Sequence, residues 1–309
     1  MKLATYLKAD VPTVGAVVDE QLYDLAAALQ ASGAGDPAWA TTVVQLLGAG
    51  AAALAAAHQA IAWAQHSGEL SLAQPLAGTA LLAPIPCPGK LLCLAGNYAD
   101  HIQEGGGTYI GKEKMIPRFF SKPCTAIIGT NGVVRIPPSV AWADWELELA
   151  VVIGKTGRDI AVAEAEQYIG GYTVFNDISG RELAFRATLP LQEGDWFFDW
   201  QVGKWLDTFG PMGPWLTTAD EVPHPNRLRM QLWHNGTLHQ DASTGQMIFS
   251  PAEAIAFISQ FITLEAGDVI ATGTPAGVGL AKKIKLQPGD QIKGEIEGLG
   301  TLENTVAAL

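Results

Sequence analysis

The run Asp144-Trp145-Glu146-Leu147-Glu148-Leu149 leads straight into Ala150-Val151-Val152-Ile153. Alternate residues of a strand share a face, so Glu146 and Glu148 point the same way, roughly 6–7 Å apart along the chain. Trp145, Leu147 and Leu149 take the other face, and beyond them the strand is apolar on both. Two carboxylates entering a buried strand repel each other and lose hydration unless a cation compensates them. A solvated strand end is the plain alternative. A third acid weighs against it, because Asp177 ends another largely apolar run, Tyr172-Thr173-Val174-Phe175-Asn176. Oxygen-only ligation suits Mg²⁺, Mn²⁺ or Ca²⁺, and three carboxylates leave positions for substrate and water. No histidine pair has zinc spacing.

A second constellation follows the apolar residues 91–95, where the chain breaks at Gly96 into Asn97-Tyr98-Ala99-Asp100-His101-Ile102-Gln103-Glu104. His101 and Glu104 are three apart and can meet on one helical face. A carboxylate beside imidazole orients the ring and raises its basicity, as a water-activating base requires. Gly105, Gly106 and Gly107 supply a hinge for a loop that closes over substrate. A surface His/Glu pair on a frayed helix is the competing reading. Bases are scarce here, so Lys122, Arg181 and Lys204 stand out, each suited to hold a carboxylate or an oxyanion, or to serve as an ordinary ion-pair partner. Residues 272–279 are glycine-rich but lack the Lys-Ser/Thr of a phosphate-binding loop, and Pro275 removes an N–H. No GxGxxG follows a strand, so a nucleotide cofactor is not indicated, and no serine sits in a nucleophile elbow. The aromatic run Trp196-Phe197-Phe198-Asp199-Trp200 reads as a packed or lid segment.

Two unlike stretches must position these groups. Residues 1–80 open on short strands (2–7 and 13–18, turning at Asp19-Glu20) and continue as Ala-rich helix. Asp36-Pro37 has an N-cap and a first-turn proline, and Leu46, Leu47, Gly50, Leu54, Ala57 and Ile61 then recur on one helical face. A Pro-rich connector at 83–89 ends this part. Residues 84–309 are mostly β: strands at 147–153 and 171–176, and two expected hairpins, 126–136 around Thr130-Asn131-Gly132 and 229–239 around Asn235-Gly236. Ser250-Pro251 opens a helix with Ile255, Ile258 and Phe261 on its apolar face. The chain has 309 residues, 48% apolar and 16% charged, enough for a large core and too apolar for a long disordered tail. With a net charge of −12 and no basic stripe, nucleic acid is discounted as a partner. Three cysteines without CxxC spacing fit reduced thiols, and no run is apolar enough for a membrane span. A soluble, cytoplasmic protein is expected.

Taken together, residues 84–305 resemble the fumarylacetoacetate hydrolase (FAH) family, in particular its shorter bacterial branch. Asn97-Tyr98-Ala99-Asp100-His101 with Glu104 is similar to that family's catalytic loop, and Glu146-Leu147-Glu148-Leu149 to its first pair of metal ligands. Asn176-Asp177-Ile178-Ser179-Gly180-Arg181 resembles the segment with the third ligand and a substrate-binding arginine. Gly203-Lys204 with residues 207–211 is similar to its lysine segment, and residues 267–275 to its C-terminal signature, whose threonine, here Thr274, lies at the substrate. The chain departs from the pattern at Ala184, where many members carry glutamine, and at Trp205-Leu206, and its Ala-rich first part matches no recognised family feature.

The resemblance implies a mixed, β-rich α+β protein: an FAH-type β-roll catalytic domain (84–309) with a small N-terminal α/β domain (1–80), assembling as a homodimer. It implies Mg²⁺ or Mn²⁺ on Glu146, Glu148 and Asp177, and a small anionic 2-oxo acid of the acylpyruvate or fumarylpyruvate kind as substrate. His101, held by Glu104, would activate water against the C4 carbonyl of a 2,4-dioxo acid, with Lys204 at the oxyanion. Tyr98, Lys122, Arg181 and Thr274 would contact substrate. The family also holds decarboxylases and isomerases of related acids, such as 5-oxopent-3-ene-1,2,5-tricarboxylate decarboxylase and 2-hydroxyhepta-2,4-diene-1,7-dioate isomerase, so fold alone does not fix the reaction. A non-catalytic β-roll holding an acidic metabolite through Ca²⁺ would keep the three carboxylates but would not need His101 and Glu104 together.

Overall fold

The computed structural model describes the backbone of residues 1–309 and every side chain except that of Leu70. The protein is a mixed, β-rich α+β structure built on one 11-stranded sheet and a facing five-stranded sheet. Strand Leu147–Ile153 lies inside the large sheet, antiparallel to both Ile169–Asn176 and Val269–Ala271. Every residue of Leu147–Ile153 and Ile169–Asn176 is buried, which explains their unbroken apolar runs: strands covered on both faces show no polar alternation.

The two faces take different partners. Leu147, Leu149, Val151 and Ile153 pack with Met230, Leu232, Ile292, Ile296 and Leu302 of the five-stranded sheet. Ala150 and Val152 face the other layer, where Leu46, Leu47, Ala53 and Ala57 of helices Val43–Gly48 and Ala51–Ser67 cover them. The alanines of Ala51–Ser67 therefore act as a thin, close-packing helix face. Strand Lys2–Lys8 pairs with Gly210–Thr218, so the first strands extend the large sheet and the connector at 83–89 makes no break in the core.

Several sequence expectations change here. Residues 126–136 form a turn but no hairpin: Ile127–Ile128 runs parallel to Gly210–Thr218, and Val133–Ile136 parallel to Gly300–Ala308. Partners distant in sequence outcompete the local pairing. The second expected hairpin does form, Arg229–His234 against Thr237–Ser243. The helix anticipated from Asp36 is three pieces, Pro37–Ala40, Val43–Gly48 and Ala51–Ser67, because Thr42 caps a new helix and Gly50 turns the chain at φ 82°. Ser250 and Glu253 form a capping box on Pro251–Ser259, with Ile255 and Ile258 buried, but Phe261 lies past the helix end and is 57% exposed. Among the described residues no helix is long and apolar enough to cross a membrane.

Candidate active site

Leu147 is opposite Asn176 in the antiparallel pair, so the start of one strand meets the end of the other. That register gathers Glu146, Glu148 and Asp177, all buried, with one carboxylate oxygen from each within 4.8 Å of the others. Backbone bonds fix them: Asp177 N donates to Glu146 O (2.8 Å), and Glu146 N to Asn176 Oδ1 (2.9 Å). Gly273 N donates to Glu148 Oε2 at 2.7 Å. Gly273 has φ +86°, and a Cβ there would meet Asn97 Cβ at 2.9 Å, so the position requires glycine.

Three cations surround the acids. Lys204 Nζ bridges Glu146 Oε2 (2.7 Å) and Asp177 Oδ2 (2.6 Å), Lys122 Nζ holds Asp177 Oδ1 (2.7 Å), and Arg181 binds Asp144 and Glu146. Lys204 ends helix Asp195–Lys204, and its neighbour Gly203 lets that helix press onto Gly180, whose carbonyl oxygen would lie 2.0 Å from a Cβ. Burial raises the Glu146 carboxyl, but Lys204 and then Arg181 outweigh it and hold the group well below the usual carboxylate range. Glu148 goes the opposite way: burial, then the Asp177 and Glu146 charges, push it well above. Glu148 Oε1 is buried with no hydrogen-bond partner among the described residues. An orphaned buried oxygen in an all-carboxylate donor set fits a hard divalent cation.

The dyad is also assembled. His101 Nδ1 lies 2.8 Å from Glu104 Oε1, and Glu104 Oε2 accepts from Gly277 N at 2.8 Å. Both ride on the single-turn helix Ala99–Glu104. Glu104 thus fixes the ring through Nδ1, and Nε2 is the nitrogen left for chemistry.

The family model described as "Fumarylacetoacetate (FAA) hydrolase C-terminal" matches residues 90–307. This chain belongs to the fumarylacetoacetate hydrolase family. It is 39% identical over 273 residues to a mitochondrial oxaloacetate tautomerase of Rattus norvegicus, covering 88% of this chain and 81% of that protein. Among solved structures, maleylpyruvate hydrolase from Sphingobium sp. SYK-6, in complex with manganese(II) and pyruvate, aligns with TM-score 0.73 and 30% identity over 100% of this chain and 99% of that one. The 2-hydroxyhepta-2,4-diene-1,7-dioate isomerase from Mycobacterium marinum aligns with TM-score 0.71 and 29% identity over 100% and 98%. These alignments take in the Ala-rich first eighty residues, which the motif reading had left outside the family.

Not every FAH-type expectation finds its side chain open to a ligand. Lys122 is fully enclosed against Asp177 and Ile178 O, so it supports the acid cluster instead of facing a cavity. The Tyr98 hydroxyl is buried on Met230 Sδ. Thr274 Oγ1 donates to Leu147 O (2.9 Å) and accepts from Gln240 Nε2 (2.8 Å). Arg181 lies at the site, committed to Asp144 and Glu146. Two positioning residues escaped the sequence reading. Asp144, fully buried, accepts from Gly279 N and Arg181 Nε; its signal was the continued alternation Asp144, Glu146, Glu148. Gln240 accepts from Leu147 N (3.0 Å) and donates to Thr274 and Pro275 O, and nothing in its sequence context marks it.

Proposed function

We propose that this FAH-family enzyme hydrolyses the C3–C4 bond of a small 2,4-dioxo acid, with a divalent cation on Glu146, Glu148 and Asp177. The observation that carries this reading is the His101–Glu104 pair, oriented through Gly277 N and leaving Nε2 free of protein partners among the described residues. When bound, the cation (Mg²⁺ or Mn²⁺, with Ca²⁺ a further oxygen-liganded fit) supplies Lewis-acid polarisation of the 2-oxo acid.

The chain's own residues supply the rest. His101 Nε2 takes a proton from water while Glu104 steadies the imidazolium. The water oxygen bonds to C4, the C3–C4 bond breaks with its electron pair moving to C3, and His101 returns the proton there. Products are a pyruvate-type acid and a second carboxylic acid. A lysine ammonium has three donors, and Lys204 commits two to Glu146 and Asp177, so one is left for the oxyanion. Arg181 completes the local positive charge for an anionic substrate. The three free cysteines suit a reducing compartment such as the cytoplasm, and assembly as a homodimer belongs to the same proposal. So does treating residues 84–309 as the catalytic unit and 1–80 as its helical cover.

Tautomerisation of oxaloacetate is the second reading, favoured by the tautomerase relative at 39% identity. It needs the same base to move a proton at C3 but adds no water. The experiment follows loss of the enol ultraviolet band of acylpyruvates with Mg²⁺, with excess chelator and in His101→Ala. Metal-dependent release of pyruvate, lost in the variant, supports hydrolysis. Acylpyruvates left intact while oxaloacetate interconverts its keto and enol forms would replace it with tautomerisation.

A further inference from the structure

A cavity of about 750 Å³ opens beside the acid cluster, lined by Arg181 and Lys204, which both touch Glu146. The rest of its lining carries apolar side chains, Leu183, Ala184, Leu191, Trp196 and Trp200, beside Glu182 and the Arg186–Asp199 pair. Trp196 and Leu191, 70% and 63% exposed, present apolar surface to this opening.

We propose that this cavity receives the part of the substrate beyond its 2-oxo acid head and selects an uncharged, bulky apolar group there over a second carboxylate. The inference rests on the 2-oxo acid reading of the adjoining centre. Charge on the cavity walls carries it. Each cation of the lining already has its carboxylates: Arg181 has Asp144 and Glu146, Lys204 has Glu146 and Asp177, and Arg186 has Asp195 (3.0 Å) and Asp199 (2.6 Å). Glu182 lines the same cavity, is exposed, and makes no ion pair among the described residues. At the centre itself, five carboxylates (Glu104, Asp144, Glu146, Glu148, Asp177) face three fixed cations (Lys122, Arg181, Lys204). A divalent ion brings that count to balance and would itself hold one substrate carboxylate, which leaves no positive charge over for a second. A second carboxylate in the cavity would meet tryptophan, leucine and Glu182, and its only donors would be leftover N–H groups of cations whose charge Asp144, Glu146, Asp177, Asp195 and Asp199 already answer.

The test is calorimetric titration of the full chain in Mg²⁺ with two acids that lack a cleavable C3–C4 diketone: 2-oxo-4-phenylbutanoate and 2-oxoglutarate. The phenyl acid is expected to bind at least roughly tenfold tighter. Trp196→Ala should narrow that ratio, and Leu191→Arg, which adds a free cation at an exposed position, should reverse it. Equal or tighter binding of 2-oxoglutarate by the unaltered protein overturns the inference, as does failure of both acids to bind or a ratio that neither variant moves. Cleavage of benzoylpyruvate, a 2,4-dioxo acid with a bulky apolar acyl group, is followed in parallel. Its absence with the binding preference intact refutes hydrolysis and leaves the cavity assignment standing, whereas cleavage without the preference refutes the cavity assignment alone.

Discussion

The acid cluster and the His101–Glu104 pair lie in one site but are built differently. Glu146, Glu148 and Asp177 sit at the ends of two paired core strands, almost wholly enclosed: Lys122, Lys204 and Arg181 answer Glu146 and Asp177, while Glu148 has one backbone N–H and an unpartnered Oε1. His101 and Glu104 ride on one helical turn before three glycines, and their side chains are 20% and 16% exposed. Under the proposed function the difference follows from what each must do. Charges held in a low dielectric need partners that do not move, because an unmatched one costs several kcal/mol. A base must meet water and substrate, so it belongs on a segment that admits them. The exposed half is expected to carry rate with little stability, and the enclosed half to carry both.

The largest effect breaks the exposed half. His101→Ala should lower turnover by about 10²–10⁴ while the thermal midpoint stays near that of the parent, read by steady-state kinetics and calorimetry. A drop in midpoint comparable to that of a core variant would show that the two halves are not separate. Next is the enclosed half. Lys204→Met leaves Glu146 and Asp177 without their shared ammonium and should destabilise the metal-free protein by about 3–5 kcal/mol, measured by urea unfolding. Excess Mn²⁺ should restore part of the loss, and stability indifferent to Mn²⁺ would deny the cluster its cation.

A smaller effect sharpens the comparison. Asp144→Asn weakens the grip on Arg181 and on the Gly279 N–H, and is expected to reduce Mn²⁺ affinity by about 10–100-fold, with the dyad's pH profile unchanged. The smallest effect is a count. Burial, then the Asp177 and Glu148 charges, push the Cys93 thiol well above its ordinary value, whereas Cys87 and Cys124 are exposed. A thiol reagent should therefore titrate two groups in the folded protein and three after unfolding. A third thiol reacting in chelator-treated folded protein would mean that the enclosed half opens when its cation leaves.

Much of the site was legible because its signals are local. Glu146 and Glu148 alternate within one strand, Asp177 closes another, and His101 and Glu104 share one turn. The roles of the bases were not legible. Lys122 lies 55 residues before Asp177, and only the folded chain shows that it is spent there. Gln240 reads as an ordinary polar residue of a hairpin, yet it ties Leu147 to Thr274 across separations of 93 and 34 residues. The expected hairpin at 126–136 failed for a related reason: a turn signal states that the chain reverses, and says nothing of which strands then accept its hydrogen bonds.

By itself the sequence determined the family and marked the three acids and the His101–Glu104 pair, because Glu146 with Glu148 and His101 with Glu104 are spaced two and three along one element and Asp177 closes a second apolar run. Tertiary structure decided which cations answer which carboxylates, that the first eighty residues complete the large sheet and its helical cover, and that the cavity beside the centre has aromatic walls and no free positive charge. Those outcomes turn on distances between residues tens to hundreds of positions apart. Such distances are fixed by strand register and burial acting together, and no local pattern encodes them.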